Sequence, residues 1–397
     1  MPLQNSRPAL SNADQDWQNA GFGIYIHWPF CQSKCPYCDF NSHVWSNVDQ
    51  DRWLKPYISE LERYAALTPG RVVQSVFFGG GTPSLMEPAT VEGILNAIRR
   101  LWPQANDTEV TLEANPTSVD AGRFAGYAMA GVNRVSMGFQ AMNDEDLRRL
   151  GRLHSVDEAL RAFDIARNQF ERVSFDLIYA RQNQTLSAWE AELDRALSLA
   201  IDHLSLYQLT IEDGTAFGDR YKRGGLRGLP EEDLAADMWE LTQEVTAAHG
   251  FENYEVSNHA RDGARSRHNV LYWRYGDYIG VGPGAHGRVT LDGHRHATEQ
   301  PRAPGKWLQM AEAGNADSLV DSLTGQEQAE EYLLMGLRLR EGISLDRFEK
   351  LSSAPLNGSQ VEEMRERDLV KVENGRIFVT DQGRMLLNAV INKLLDS

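Results

Sequence analysis

Gly23-Ile-Tyr25-Ile-His27-Trp-Pro-Phe-Cys31-Gln-Ser-Lys-Cys35-Pro-Tyr37-Cys38-Asp-Phe40 runs from a strand-like stretch directly into three cysteines spaced C-x3-C-x2-C. Gly23–His27 is short, apolar and β-branched, as a strand requires. Cys31, Cys35 and Cys38 are the only cysteines in the 397 residues. An odd number so closely packed cannot form a disulfide framework. Three thiolates on a tight loop can each hold one iron of a four-iron cluster, leaving the fourth iron open to a small molecule. Soft sulfur ligands favour iron–sulfur or zinc over hard cations. A structural zinc completed by His27, Asp39 or His43 is the competing reading, although zinc sites more often use paired C-x2-C arms.

Working outward from this loop, strand-like runs recur at Val72–Phe78, Glu109–Glu113, Arg134–Met137, Val173–Ile178 and His203–Leu209. Helical patterns lie between them. Leu54, Tyr57, Ile58, Leu61 and Ala65 share one helix face, and Val91, Ile94, Leu95 and Ile98 share another. Ser155 and Glu158 have the spacing of a capping box. Strand–helix alternation implies right-handed crossovers and a parallel sheet. The expected fold class is α/β, a partial (β/α)6-type parallel barrel over residues 22–260. A doubly wound open sheet is the architectural rival. Residues 1–21 read as a polar leader. Residues 261–304 are rich in Gly, Arg, His and aromatics and read as irregular loops or short strands. Residues 305–397 read as a small α+β unit of winged-helix character, with Asn374-Gly375 as a hairpin turn.

The composition is 42% hydrophobic and 24% charged, enough apolar residue for a sizeable core. A formal charge of −16 repels phosphate backbones and anionic lipid heads, so nucleic acid is not an expected partner. No apolar run approaches the roughly 20 residues of a spanning helix. The leader lacks a basic start followed by an apolar stretch. A cytoplasmic address is expected.

In a barrel, the loops after each strand build the site. Gly79-Gly80-Gly81-Thr82 follows the second strand, where glycines let backbone N–H groups approach a ligand. Glu113, Gln140, Arg152 and Asp176 lie at or beyond the ends of successive strands. Taken one at a time they are ambiguous, but strand ends of a barrel converge on one mouth.

The cysteine spacing with an aromatic, Tyr37, before the last cysteine resembles the radical S-adenosylmethionine (SAM) superfamily. The resemblance implies a [4Fe-4S] cluster on Cys31, Cys35 and Cys38, with SAM chelated to the open iron and cleaved to a 5′-deoxyadenosyl radical. The order of motifs from Gly23 onward is similar to the oxygen-independent coproporphyrinogen III oxidase-like family, and within it the HemW-like heme chaperone branch. By that pattern Tyr25, Tyr37, Gly80, Gly81, Thr82, Glu113, Gln140, Arg152 and Asp176 surround SAM. One departure stands out: after Asp176-Leu-Ile-Tyr179 the family turns through Gly-Leu-Pro, and this chain has Ala180, Arg181 and Gln182.

Two functions compete on this scaffold. One is radical oxidative decarboxylation of coproporphyrinogen III propionates. The other is a heme carrier that delivers heme, as cargo, to recipient hemoproteins such as respiratory enzymes, with a cellular electron donor and, by analogy, a homodimer. Three features favour the carrier. Oxidases of the family have a fourth cysteine two residues after the third, where this chain has Phe40. They also have a longer N-terminal extension. Arg267-His268-Asn-Val-Leu-Tyr272-Trp273 matches an H-N-x-x-Y-W motif of the heme-binding branch, offering an imidazole for iron and aromatic faces for the macrocycle through His268, Tyr272 and Trp273. A packed structural strand is the competing reading of that run.

Overall fold

The computed structural model describes residues 12–45 and 47–396; residues 1–11 of the polar leader lie outside them. Six strands follow the sequence pattern: β1 (Phe22–Trp28), β2 (Val73–Gly80), β3 (Gln104–Ala114), β4 (Arg134–Gln140), β5 (Arg172–Tyr179) and β6 (His203–Gln208). They lie side by side in chain order, and every neighbouring pair is parallel. A doubly wound sheet would reverse direction at a switch point, and no reversal occurs among these six. The architecture is the partial barrel.

Residues alternate along these strands. Ile24, Ile26, Val76, Phe78, Leu112, Val135, Phe175 and Leu204 face outward into one apolar core with the surrounding helices. Val91, Ile94, Leu95 and Ile98 of the helix Pro88–Leu101 are fully covered, as their spacing requires. Each such side chain contributes roughly 1.5–3 kcal/mol of burial. The helix Gln50–Leu67 differs in detail. Its deepest face carries Trp53, Tyr57, Leu61 and Tyr64, while Leu54, Ile58 and Ala65 are half-buried. The cause is a second helix, Pro304–Glu312, whose Trp307 stacks flat on Trp53 at 5.5 Å. Ser155 and Glu158 form the expected capping box at the start of Val156–Arg167.

The inner face is polar instead. Arg134 donates to Ser174 Oγ at 2.9 Å, Ser136 Oγ lies 3.0 Å from Ser174 Oγ, and Arg172 donates to Glu109 at 2.8 Å. A closed (β/α)8 barrel fills its interior with branched apolar side chains; a polar lumen is suited to a polar ligand.

The barrel does not close. Two short strands, β7 (Glu252–Asn253) and β8 (Asn258–Ala260), extend the β6 edge antiparallel. On the other edge β9 (Asp277–Val281) pairs parallel with β1, followed by antiparallel β10 (His286–Leu291), β11 (His294–Glu299) and β12 (Leu319–Ser322). All twelve strands form one sheet. Residues 261–304 are therefore more ordered than their composition implies. They contain a helix, Arg267–Trp273, capped by Ser266, and three strands of the main sheet. The turn between β10 and β11 is Asp292-Gly293, both at positive φ, a hairpin signal present in the sequence.

One buried cluster holds this extension. Asp277, fully buried, accepts from Arg71, from Thr290 N–H and Oγ1, and from Arg295 at 3.0 Å. Beyond it, Gly325–Gly336, Leu345–Ser352 and Gly358–Glu366 pack with a three-stranded sheet, β13 (Ile343–Ser344), β14 (Val370–Glu373) and β15 (Arg376–Val379), around a separate apolar core. Asn374 and Gly375 are both at positive φ in the β14–β15 turn, as the Asn-Gly pair requires. The closing helix is broken at Leu386 into Asp381–Met385 and Leu387–Leu395.

Candidate functional site

At the C-terminal end of β1 the chain enters a short ladder, Phe30–Cys31 against His43–Val44, and the loop between its halves carries Cys35 and Cys38. Cys31 is buried; Cys35 and Cys38 are half-buried. Thr82 Oγ1 donates to the Cys31 sulfur at 3.3 Å, and Arg152 Nη1 donates to the Cys35 sulfur at 3.3 Å. Burial pushes the Cys31 and Cys38 thiols up, and the neighbouring sulfurs add to this. A metal that binds thiolate reverses that preference. Pro36 of this loop sits against Gly151, where a Cβ would come within 2.6 Å of the proline ring.

The glycines after β2 serve the loop itself. Gly81 N–H donates to Trp28 O at 2.7 Å and Thr82 N–H to Phe30 O at 2.9 Å. A Cβ on Gly81 would stand 2.7 Å from the Pro29 carbonyl carbon, and one on Gly80, at φ 110, 2.7 Å from the His27 ring. The glycine run predicts N–H groups free to approach a ligand; at Gly81 and Thr82 they are instead committed to fixing the cysteine loop.

One cavity, of about 150 Å³, collects most of the expected residues. Its wall includes Cys31, Cys35, Cys38, Tyr37, Gly80, Gly81, Thr82, Glu113, Gln140, Arg152 and Asp176. Gln140 has φ 74 after an irregularity in the β4–β5 register, and Gly138 allows its amide and the Arg152 guanidinium to approach. Arg152 also donates to Gly138 O at 3.0 Å, while its buried Nε has no partner. Tyr25 is not part of this wall. Alternation along β1 turns it toward His27, whose Nδ1 is 3.0 Å from its hydroxyl, and its ring stacks on His268.

Glu113 and Asp176 face the same space. Burial, and then repulsion from Asp176, pushes Glu113 up to about 8, against a hydrogen bond from Gly80 N–H. Burial pushes Asp176 up to about 6, against hydrogen bonds from Ser205 and Ser136. Two buried carboxyls side by side make a site for a cation. The serines beneath Asp176 were not singled out from sequence; a serine in a strand carries no distinguishing signal. Gly138, within a strand, did carry one, since such a glycine marks a bulge or a close approach.

The competing zinc reading is not supported by this geometry. His27 has both ring nitrogens engaged, Nδ1 with Tyr25 and Nε2 with Asn41 O at 2.9 Å. Among the described residues no three His, Cys, Asp or Glu side chains converge as a single ion requires. A cubane gives each thiolate its own iron, so its ligands ring a larger core.

The H-N-x-x-Y-W run divides between two surroundings. His268 stacks on Phe77 at 4.5 Å, and Tyr272, one turn on, lies 5.4 Å from Tyr278. Trp273 instead packs beside Val270 in a cluster with Tyr254 and Leu339, under Arg338. Arg267 pairs with Asp107, so its charge is already matched. Burial pushes His268 down to about 4, and its buried Nδ1 has no partner.

A partial parallel barrel with a three-thiol loop at its strand C-terminal ends defines a protein of the radical SAM class. The Radical SAM superfamily model matches residues 25–196, and the HemN C-terminal domain model matches residues 323–386. The chain is 38% identical over 384 residues to radical S-adenosyl methionine domain-containing protein 1, mitochondrial, of Bos taurus, covering 94% of this chain and 87% of that protein. It is 42% identical over 289 residues to heme chaperone HemW of Escherichia coli strain K12, covering 72% and 75% of the two chains. The solved coproporphyrinogen III oxidase HemN of Escherichia coli shares the fold at TM-score 0.80 and 22% identity, over 97% of this chain and 92% of that one. The chain belongs to the radical SAM superfamily, in its HemN-like, heme chaperone HemW branch. Membership implies a [4Fe-4S] cluster and SAM. The three thiols on one loop, the unpartnered Arg152 Nε and the paired carboxyls suit those two groups. Among the described residues no helix is long and apolar enough to cross a membrane.

Proposed function

We propose that this protein is a cytoplasmic heme chaperone that binds heme and passes it to hemoproteins, while holding a [4Fe-4S] cluster and SAM at the barrel mouth. Respiratory enzymes are among the recipients in this reading, a cellular electron donor serves the cluster, and the working form is a homodimer. The observation that carries it is His268: a neutral imidazole with an unpartnered Nδ1, set among aromatic rings. A neutral imidazole is the side chain that commonly ligates heme iron. The names of the HemW relatives agree with it.

In this reading Cys31, Cys35 and Cys38 hold three irons. The cluster, when bound, supplies an electron and an open iron for the amino and carboxylate ends of SAM. Arg152 neutralises the carboxylate, and Glu113 and Asp176 accept from ribose hydroxyls and offset the cationic charge. Gly80, Gly81, Thr82 and Gln140 shape the cradle, and Tyr37 closes its edge. Tyr25 supports it from below through His27. Tyr272 and Trp273 frame the helix that carries His268.

The test pairs two assays on one reconstituted preparation. The protein binds heme, and His268→Ala weakens that binding by roughly tenfold or more, the size expected when an iron ligand is lost. With SAM and reductant it releases no carbon dioxide from coproporphyrinogen III. Sustained decarboxylation would make it an oxidase instead.

The carboxyls give a pH dependence. Near pH 7 Glu113 holds its proton and Asp176 is mostly ionised. A bound cation favours the ionised form, so SAM binding expels a proton from Glu113. Affinity therefore rises with pH between about 6 and 8, by at most about tenfold per unit, and levels off above. Calorimetry in buffers of different ionisation enthalpy measures the released proton; zero release with a flat profile contradicts the assignment. The unliganded protein shows the opposite trend in stability. The unfolded Glu113 carboxyl ionises near 4.5, so stability is lost as pH rises from there toward 8.

A further inference from the structure

After β5, Ala180 adopts a left-handed backbone, φ 57, of the kind a glycine takes without strain. The next residue, Arg181, is 3% exposed. Its Nη1 donates to Ile178 O at 2.5 Å, and its Nη2 donates to Asp146 at 2.8 Å and Glu192 at 2.5 Å. Glu192 also accepts from Met142 N–H at 2.6 Å, and Gln184 Oε1 accepts from Arg181 N–H at 3.1 Å.

These bonds reach three stretches of chain that lead to or from wall residues of the cavity. Met142 is two residues after Gln140, Ile178 two after Asp176, and Asp146 lies in the first turn of the helix Asp144–Arg149 that leads into Arg152. Arg152 N–H in turn donates to Leu147 O at 2.8 Å in that helix. A buried ion network gains little stability over apolar side chains of similar volume. It does fix distances, because each guanidinium bond has one length and one direction.

We propose that Arg181 is a positioning residue of the SAM site: through Asp146, Glu192 and the Ile178 carbonyl it locks three mouth loops together, so that Gln140, Arg152 and Asp176 meet one ligand at once. This rests on reading the cavity as the SAM site. Arg181 itself does not line that cavity.

The test uses the full chain, reconstituted anaerobically, with Arg181→Met. Iron and sulfide content stay at the level of the unsubstituted protein, while the Kd for SAM rises roughly ten- to hundredfold, as misplacement of a binding group by an ångström does. Arg181→Met/Glu192→Leu removes the unpaired buried carboxylate. It recovers the thermal midpoint and leaves the Kd raised, because the Met142 tether is lost as well. The double variant carries the same test if the single one does not fold. An unchanged Kd in Arg181→Met, or a Kd restored together with the thermal midpoint in the double variant, overturns the proposal. Failure of the unsubstituted protein to bind SAM overturns the site reading beneath it.

Discussion

Cys31→Ser, Cys35→Ser and Cys38→Ser each reduce the iron and sulfide of anaerobically reconstituted protein to background. The effect is all or none because the chain has no spare thiolate. His27 is held by Tyr25 and Asn41, and His43 Nε2 lies 3.2 Å from Arg302 O. Phe40, 58% exposed, occupies the position where a further cysteine would stand. Hydroxyl oxygen is a poor substitute for thiolate toward iron–sulfur iron. The loop backbone is tied by Gly81 and Thr82, so the fold survives each substitution and cluster loss can be read separately from unfolding. A fully loaded cluster in any one of the three variants contradicts the ligand set.

Asp277→Ala costs about 3–5 kcal/mol of stability, the range for removing one partner of a buried ion pair. Among the described residues Asp277 is the one carboxylate paired with Arg71, and it pairs with Arg295 as well. Both arginines are nearly covered, at 9% and 1% side-chain exposure. Without Asp277 those charges face each other across the junction of β9 and β10. Arg295 keeps Asp16 at 3.5 Å as a partial compensation. Denaturant unfolding measures the loss; a change below about 1 kcal/mol, the scale of an exposed pair, contradicts this account of the sheet extension.

The cysteine loop was legible because its information is local: two spacings among three cysteines within eight residues. The six parallel strands were legible because their outer faces are apolar and their positions repeat. The lumen-facing residues read only as isolated polar groups, and their convergence depended on the barrel bringing strand ends together. Tyr25 shows the limit of that argument. The resemblance sets it among the residues around SAM, but at the middle of β1 it lies deeper than the strand ends, against His268.

Residues 261–304 read as loops or short strands, and short strands are there; what their sequence does not display is the helix before them and their place in the main sheet, for a different reason. β10 and β11 carry Arg288 and Arg295, whose charges are matched by Glu331 and Asp277 elsewhere in the chain. Burial patterning hides when polar residues are buried in pairs. The helix Arg267–Trp273 spans too few residues to display a helical period. At Ala180-Arg181 the sequence shows only a departure from Gly-Leu-Pro; the left-handed Ala180 and the buried Arg181 that hold this turn depend on partners distant in sequence.

In the proposed site three protein sulfurs hold an iron cluster whose fourth iron takes the amino and carboxylate ends of SAM. Electron–nuclear double resonance on the reduced protein, with nitrogen- and oxygen-labelled SAM, measures this directly. Hyperfine coupling from both labels is the predicted result. A cluster that couples to neither label, in protein that nonetheless binds SAM, would contradict the account.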